Sequence, residues 1–192
     1  MKKLLPFFTL TLAVLFISCD PSDDDTSSDA TRNIVETAAI TADLSNLVGA
    51  LVLADENPDS NLIATLNAPG PYTVFAPSNQ AFANLLGQLD GFDTLDDFDT
   101  VEERTLLAKV VQYHVVTGVA ALSTGLSNGS SIPTFQGEEV SISTASGVQI
   151  TDKTGVPANV TTADIITTNG VVHIIDKVLI PQEVLDLLNG GN

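Results

Sequence analysis

The chain reads as an α+β domain, with helices mainly in its first part and antiparallel strands mainly in its second. Three observations predict this. Apolar side chains recur at helical spacing as far as Tyr113, the apolar period changes to two after Gly118, and Asn169-Gly170 separates two strongly apolar runs. Helices followed by strands, without strict alternation, argue against a βαβ architecture.

In chain order, Asp43 is placed to cap a helix whose apolar positions Leu44, Leu47, Val48, Leu51 and Val52 follow the amphipathic rule. Asn61 to Leu66 reads as a short second helix, closed by Ala68-Pro69-Gly70-Pro71. Tyr72 to Phe75 reads as a strand. Pro77 holds Ala76 extended and Ser78 is placed to cap the next helix, which ends near Leu86. Thr100-Val101-Glu102-Glu103 is a capping-box pattern and opens a helix carrying Leu106, Leu107, Val110, Val111 and Tyr113 on one face.

Beyond Gly118, Val140 to Ser143 and Val148 to Thr151 alternate apolar and polar around an Ala145-Ser146-Gly147 loop. Ile165 to Thr168 and Val171 onward form the strongest hairpin signal, with a type I′ turn expected at Asn169-Gly170. The run from Val171 to Ile180 is almost wholly apolar and predicts a strand buried on both faces, stopped by Pro181. Glu183 to Leu188 closes the domain as a short helix, leaving 189–192 as a tail.

The first eighteen residues carry the marks of an export signal. Lys2 and Lys3 precede an apolar core from Leu4 to Ile17 that is too short to span a bilayer. Phe16-Ile17-Ser18-Cys19 follows and resembles the bacterial lipobox, with Phe16 where that pattern usually has Leu. The resemblance implies that Cys19, the only cysteine, is acylated and anchors the mature chain to a membrane. The domain then has no disulfide to rest on and depends on its apolar core.

Residues 20–32 contain almost no apolar side chain and read as a disordered acidic tether with a reach of about 20 Å. Ser22-Asp23-Asp24-Asp25 resembles the acidic tag that directs some Gram-negative lipoproteins to the outer face of the outer membrane; a solvated linker is the alternative reading of these residues, and the periplasmic face the alternative location. The globular part runs from 33 to 188, long enough for one core.

Without the leader, five bases (Arg32, Arg104, Lys109, Lys153, Lys177) oppose 24 acids, a balance of −19. No basic patch exists to displace counterions from phosphates, so nucleic acid is excluded as a partner. The same charge repels anionic lipid, so the domain should stand off its membrane.

Candidate chemistry is sparse. Gly125-Leu126-Ser127-Asn128-Gly129 matches the G-x-S-x-G elbow of serine hydrolases, with Asp152 or Asp164 and then His173 in the matching order. The flanks do not supply the required strand and helix, and a simple turn is the stronger reading. His114 and His173 are the only histidines, and both follow apolar positions that favour inward hydrogen bonding over zinc. The stretch from Asp90 to Glu103 holds seven carboxylates but lacks calcium-loop spacing, which predicts a solvated acidic face. No cofactor is expected.

Two blocks carry a resemblance that covers the whole globular part. Tyr72-Thr73-Val74-Phe75-Ala76-Pro77-Ser78-Asn79-Gln80-Ala81-Phe82 and Ala163 to Pro181, with Asn169-Gly170-Val171-Val172-His173-Ile174-Ile175-Asp176 at its centre, resemble the two signatures of the fasciclin family, and Tyr113-His114 is similar to that family's Tyr-His pair. The resemblance implies a wedge-shaped β-sandwich with several helices packed around it, and adhesion or matrix binding without catalysis. It also makes Tyr113 and His114 the candidate partner-binding residues. The expected partner is an extracellular protein or polysaccharide. A surface receptor for a glycan or small molecule is the alternative function, and a hydrolase using Ser127 the remote one.

Overall fold

The computed structural model describes residues 30–57, 60–89 and 91–190. The expectations for the leader, for Cys19, for most of the tether, for Asp90 and for residues 191–192 lie outside the described residues. Six α-helices and seven strands occupy the remainder.

Helix α1 (Ile34–Ile40) starts on a capping box: the Asn33 side chain accepts from the Glu36 N–H, and the Glu36 carboxylate accepts from the Asn33 N–H. Helix α2 (Ser45–Asp55) is not capped by Asp43, contrary to expectation. Asp43 lies in a 3-10 turn, and the Asn46 N–H is accepted by Asn79 Oδ1 at 2.9 Å. Helix α3 (Leu62–Asn67) also borrows its cap, because the N–H groups of Leu62 and Ile63 donate to the Asp55 carboxylate at 2.7 and 2.8 Å. Two other starts are local and match the sequence. Ser78 caps α4 (Asn79–Leu86), and Thr100 with Glu103 forms the box that opens α5 (Val101–Tyr113). Helix α6 (Gln182–Gly190) ends two residues past the expected limit.

The strands β1 (Tyr72–Pro77), β2 (Val115–Thr117), β3 (Ser131–Pro133), β4 (Glu139–Ser143), β5 (Gln149–Thr151), β6 (Pro157–Thr167) and β7 (Gly170–Ile175) form one sheet in the order β2-β1-β7-β6-β5-β4-β3. All neighbours are antiparallel except β1 and β7, which pair in parallel from Tyr72 opposite Gly170 to Pro77 opposite Ile175. Strand β6 links the two halves of the sheet. Its start pairs with β5 and the rest pairs with β7 through two register shifts, between Val160 and Thr162 and between Thr162 and Ile165. Such irregularities bend a strand, and Asp164 in the second has a left-handed φ of 61°.

Two cores follow from this bend. Alternating side chains of β1 and β7 serve both: Val74, Ala76, Val172 and Ile174 face the helices, while Phe75 and Ile175 face Val140, Ile142, Ile150 and Ala158 of the opposing half. The result is the expected α+β arrangement, with helices N-terminal and a mixed sheet folded against itself.

Three strand expectations need correction. Strand β2 begins before Gly118, directly off the end of α5. Strand β7 stops at Ile175, not Ile180, because Asp176 turns to accept from Asn159 N and Nδ2, each at 2.7 Å. The hairpin has no type I′ turn: Thr167 pairs with Gly170, and neither Asn169 nor Gly170 takes a positive φ.

Candidate functional site

The Tyr113-His114 pair sits at the junction of α5 and β2, and its two side chains bond in different directions. The Tyr113 hydroxyl donates to the Glu139 carbonyl at 3.0 Å. Burial first, and then the charges of Asp152 and Glu138, push its pKa up. His114 Nδ1 lies 2.7 Å from the Val110 carbonyl, while Nε2 accepts the Leu179 N–H at 2.8 Å. The ring must therefore be neutral, with its proton on Nδ1. The His114 carbonyl also accepts from Phe75 N at 2.9 Å, which ties the junction to β1. With exposures of 0% and 2%, Tyr113 and His114 offer a partner almost no surface in this conformation. Their side chains position the start of β2.

Burial lowers the His114 pKa from 6.5 to about 4, only partly opposed by the Val110 carbonyl and the Asp152 charge. Above pH 6.5 the ring is neutral in both folded and unfolded chains, and its contribution is complete. As pH falls from 6.5 towards 4 only the unfolded chain takes up the proton, so stability drops; below 4 the loss is complete. The expected loss is about 3 kcal/mol. Denaturant unfolding of wild type and His114→Gln across pH 4 to 7 checks this, since only the wild type should show that component.

The second signature block is held by polar side chains that anchor backbone. His173, fully buried and stacked at 5.8 Å on Phe75, accepts the Asp164 N–H at Nδ1 (3.2 Å) and bonds the Ala121 carbonyl through Nε2 (2.9 Å). Its proton is therefore on Nε2, the opposite tautomer to His114. The Asp164 carboxylate accepts from both the Ser123 N–H and hydroxyl. Burial would raise the pKa of this acid, but the two Ser123 bonds bring it below the usual carboxylate range. These contacts hold the left-handed backbone at Asp164 in place. At the other end of the hairpin, Asn169 accepts from Ile34 N at 3.0 Å and donates to the carbonyls of Leu66 and Ala68 at 2.7 and 2.9 Å.

A third buried group is Asp152. Its carboxylate accepts from the backbone of Thr154 and Ile180, each at 2.9 Å, from the Thr154 hydroxyl, and from Lys177 Nζ at 3.0 Å. The Asp-x-Thr spacing of its local turn is legible in sequence, whereas the Lys177 and Ile180 bonds are not.

No hydrolase arrangement results. Ser127 is exposed in a turn, both ring nitrogens of His173 are occupied, Asp164 holds Ser123, and Asp152 holds Lys177. In the acidic stretch, Asp97 and Glu103 accept from the backbone of Thr94 and Thr100 respectively, bonds that lower both pKa values. Among the described residues no three His, Cys, Asp or Glu side chains group to hold a metal. There too, Arg104, Lys109, Lys153 and Lys177 each pair with a carboxylate: Glu56, Glu183, Glu138 and Asp152.

The two signature blocks, joined side by side as β1 and β7 and stitched by Asn169, His173 and Asp164, define a fasciclin domain. The family model of the fasciclin domain matches residues 42–181, and the chain belongs to that family, which is generally non-enzymatic. It is 34% identical over 155 residues to protein sll1483 of Synechocystis, covering 81% of this chain and 77% of that protein. It is 30% identical over 162 residues to the cell surface glycolipoprotein MPB83 of Mycobacterium bovis, covering 84% and 67%. Among solved structures it is similar to a FAS1 domain pair from the insect cell adhesion molecule fasciclin I, at 22% identity and a TM-score of 0.48, over 70% of this chain and 45% of that one.

Proposed function

We propose that the chain is a surface-displayed lipoprotein that adheres to neighbouring cells, matrix or polysaccharide through a non-catalytic fasciclin domain. The observation that carries this reading is the family match over 42–181 in a domain whose buried polar groups are engaged in holding the fold. Among the described residues no buried side-chain nitrogen or oxygen lacks a partner, so no reactive group is held in reserve inside. The lipobox-like Phe16-Ile17-Ser18-Cys19 and the acidic segment behind it support an acyl anchor and display at the outer membrane. Paired bases on an otherwise acidic surface favour neutral or basic partners over phosphate-rich ones.

Cells carrying Cys19→Ala provide the test. The variant is expected to lose radiolabelled palmitate, to leave the membrane fraction, and to lower attachment and biofilm formation as far as deletion of the gene does. Unchanged attachment after deletion, with no competition by added soluble domain, rejects adhesion.

A further inference from the structure

The acidic segment 91–103 and the helices beside it enclose a feature on which the proposed adhesion does not rest. A partly enclosed cavity of about 140 Å³ lies between α4, this segment, α5 and the start of α6. Phe82, Phe92, Phe98, Leu106 and Val110 are among its walls, and among the described residues Glu103 is the only charged one lining it. The Glu103 carboxylate is engaged, accepting from Asp99 N and Thr100 N at 3.1 and 3.0 Å. Among the described residues nothing lining the cavity therefore awaits a hydrogen bond. Close-packed interiors seldom leave a void of this size, and apolar cavities of roughly 150 Å³ stay dry and accept a single aromatic ring. Part of the wall is the tilted Phe92–Phe98 pair, with ring centroids 4.7 Å apart, on a segment without regular strand pairing.

The outside of that wall is strongly negative. Asp93, Asp96, Asp97, Asp99, Glu102 and Glu103 lie on it or on the first turn of α5. The neighbouring base, Arg104, pairs with Glu56 at 2.9 Å and donates to the Phe98 carbonyl at 3.1 Å. A group entering the cavity meets an apolar lining, and the carboxylates carried by the wall segment, including Asp93 and Asp96 on its side towards α2, surround it with a negative field.

We infer that this cavity is a binding site for the ring or short alkyl end of a cationic amphiphile, a hydrophobic ammonium compound rather than a fatty acid. The inference is independent of the anchor and of adhesion.

Benzylamine, benzyl alcohol and benzoate share one ring and differ in charge. They are to be titrated into the full exported chain made soluble by Cys19→Ser, followed by ligand-detected NMR and by contacts from the ligand ring to Phe92 and Phe98. The expected order is benzylamine, then benzyl alcohol, then benzoate, with about threefold or more between the first two at low salt and less at high salt. Asp93→Asn with Asp96→Asn should reduce that preference while leaving benzyl alcohol unchanged, since neither side chain is bonded in a cap. Leu106→Trp, which fills the cavity, should abolish binding of all three. If that variant does not fold, ring contacts to Phe92 and Phe98 in the unaltered cavity decide the site. No binding of any probe at roughly 10 mM, the weak limit for a ligand of this size, overturns the inference. Benzoate binding as well as benzylamine, or ring contacts elsewhere, does the same.

Discussion

Replacing Asp152 with alanine is expected to destabilise the domain by about 3–5 kcal/mol, the range for removing one partner of a buried ion pair. The Asp152 side chain is fully buried while Lys177 remains a quarter exposed, so the loss falls unevenly on the two partners. Lys177 Nζ keeps the Thr154 hydroxyl at 2.6 Å and the Val156 carbonyl at 2.9 Å. The buried Ile180 N–H loses the carboxylate oxygen 2.9 Å away. That bond fixes the path from β7 to α6, since Val178, Leu179 and Ile180 are buried without being in a strand. Asp152→Asn keeps the shape and one acceptor oxygen, and should cost about 1–3 kcal/mol. Denaturant unfolding with an unchanged slope is the measurement. An unfolding free energy for Asp152→Ala within roughly 1 kcal/mol of wild type would show that the network is dispensable.

Gly170→Ala is expected to be at least as damaging, for a steric reason. A Cβ at this position would stand 2.2 Å from the Tyr72 carbonyl oxygen, 2.9 Å from its carbon and 3.0 Å from Ile34 Cδ1. Two of these atoms are backbone of the strand paired in parallel with β7, so relief requires β1 and β7 to separate at their first pair. The neighbouring anchor, Tyr72 N to the Asn169 carbonyl at 3.0 Å, would part with them. A loss of about 3 kcal/mol or more, or failure to fold, is expected. Circular dichroism melting of the variant beside Gly118→Ala separates causes. Gly118 has a φ of 82° but no atom near a new Cβ, so it reports backbone strain alone. Equal losses in the two variants would refute the packing argument.

These two sites mark the boundary of what the sequence discloses. Signals that act within one turn were legible, as with Ser78 capping α4 and the Thr100–Glu103 box of α5. Signals completed from afar were not. Asp43 has the right residue type and position for a cap, but Asn79 takes that role from another helix. Asn169-Gly170 correctly marks a hairpin, yet the reason for each residue is tertiary. Asn169 bonds α1 and the end of α3, and Gly170 makes room for β1. The parallel pairing of the two signature blocks left no local trace, because it depends on contact between distant segments. Tyr113 and His114 could be singled out by resemblance, but their burial could not, since β4 and Leu179 cover them from later in the chain. The cavity depends on three helices and a connecting segment, and no periodicity describes it.

The parallel pairing also sets the order in which the protein can be finished. Strand β7 lies between β1 and β6, yet it follows both in the chain. Until it is in place β1 lacks its inner neighbour and both cores lack a wall, so a growing chain that has passed residue 160 still cannot close its sheet. Contacts so widely separated are slow to form because loop closure precedes any return from them. The sheet that walls both cores is therefore completed only once residues 170–175 have been made, nearly at the end of the chain.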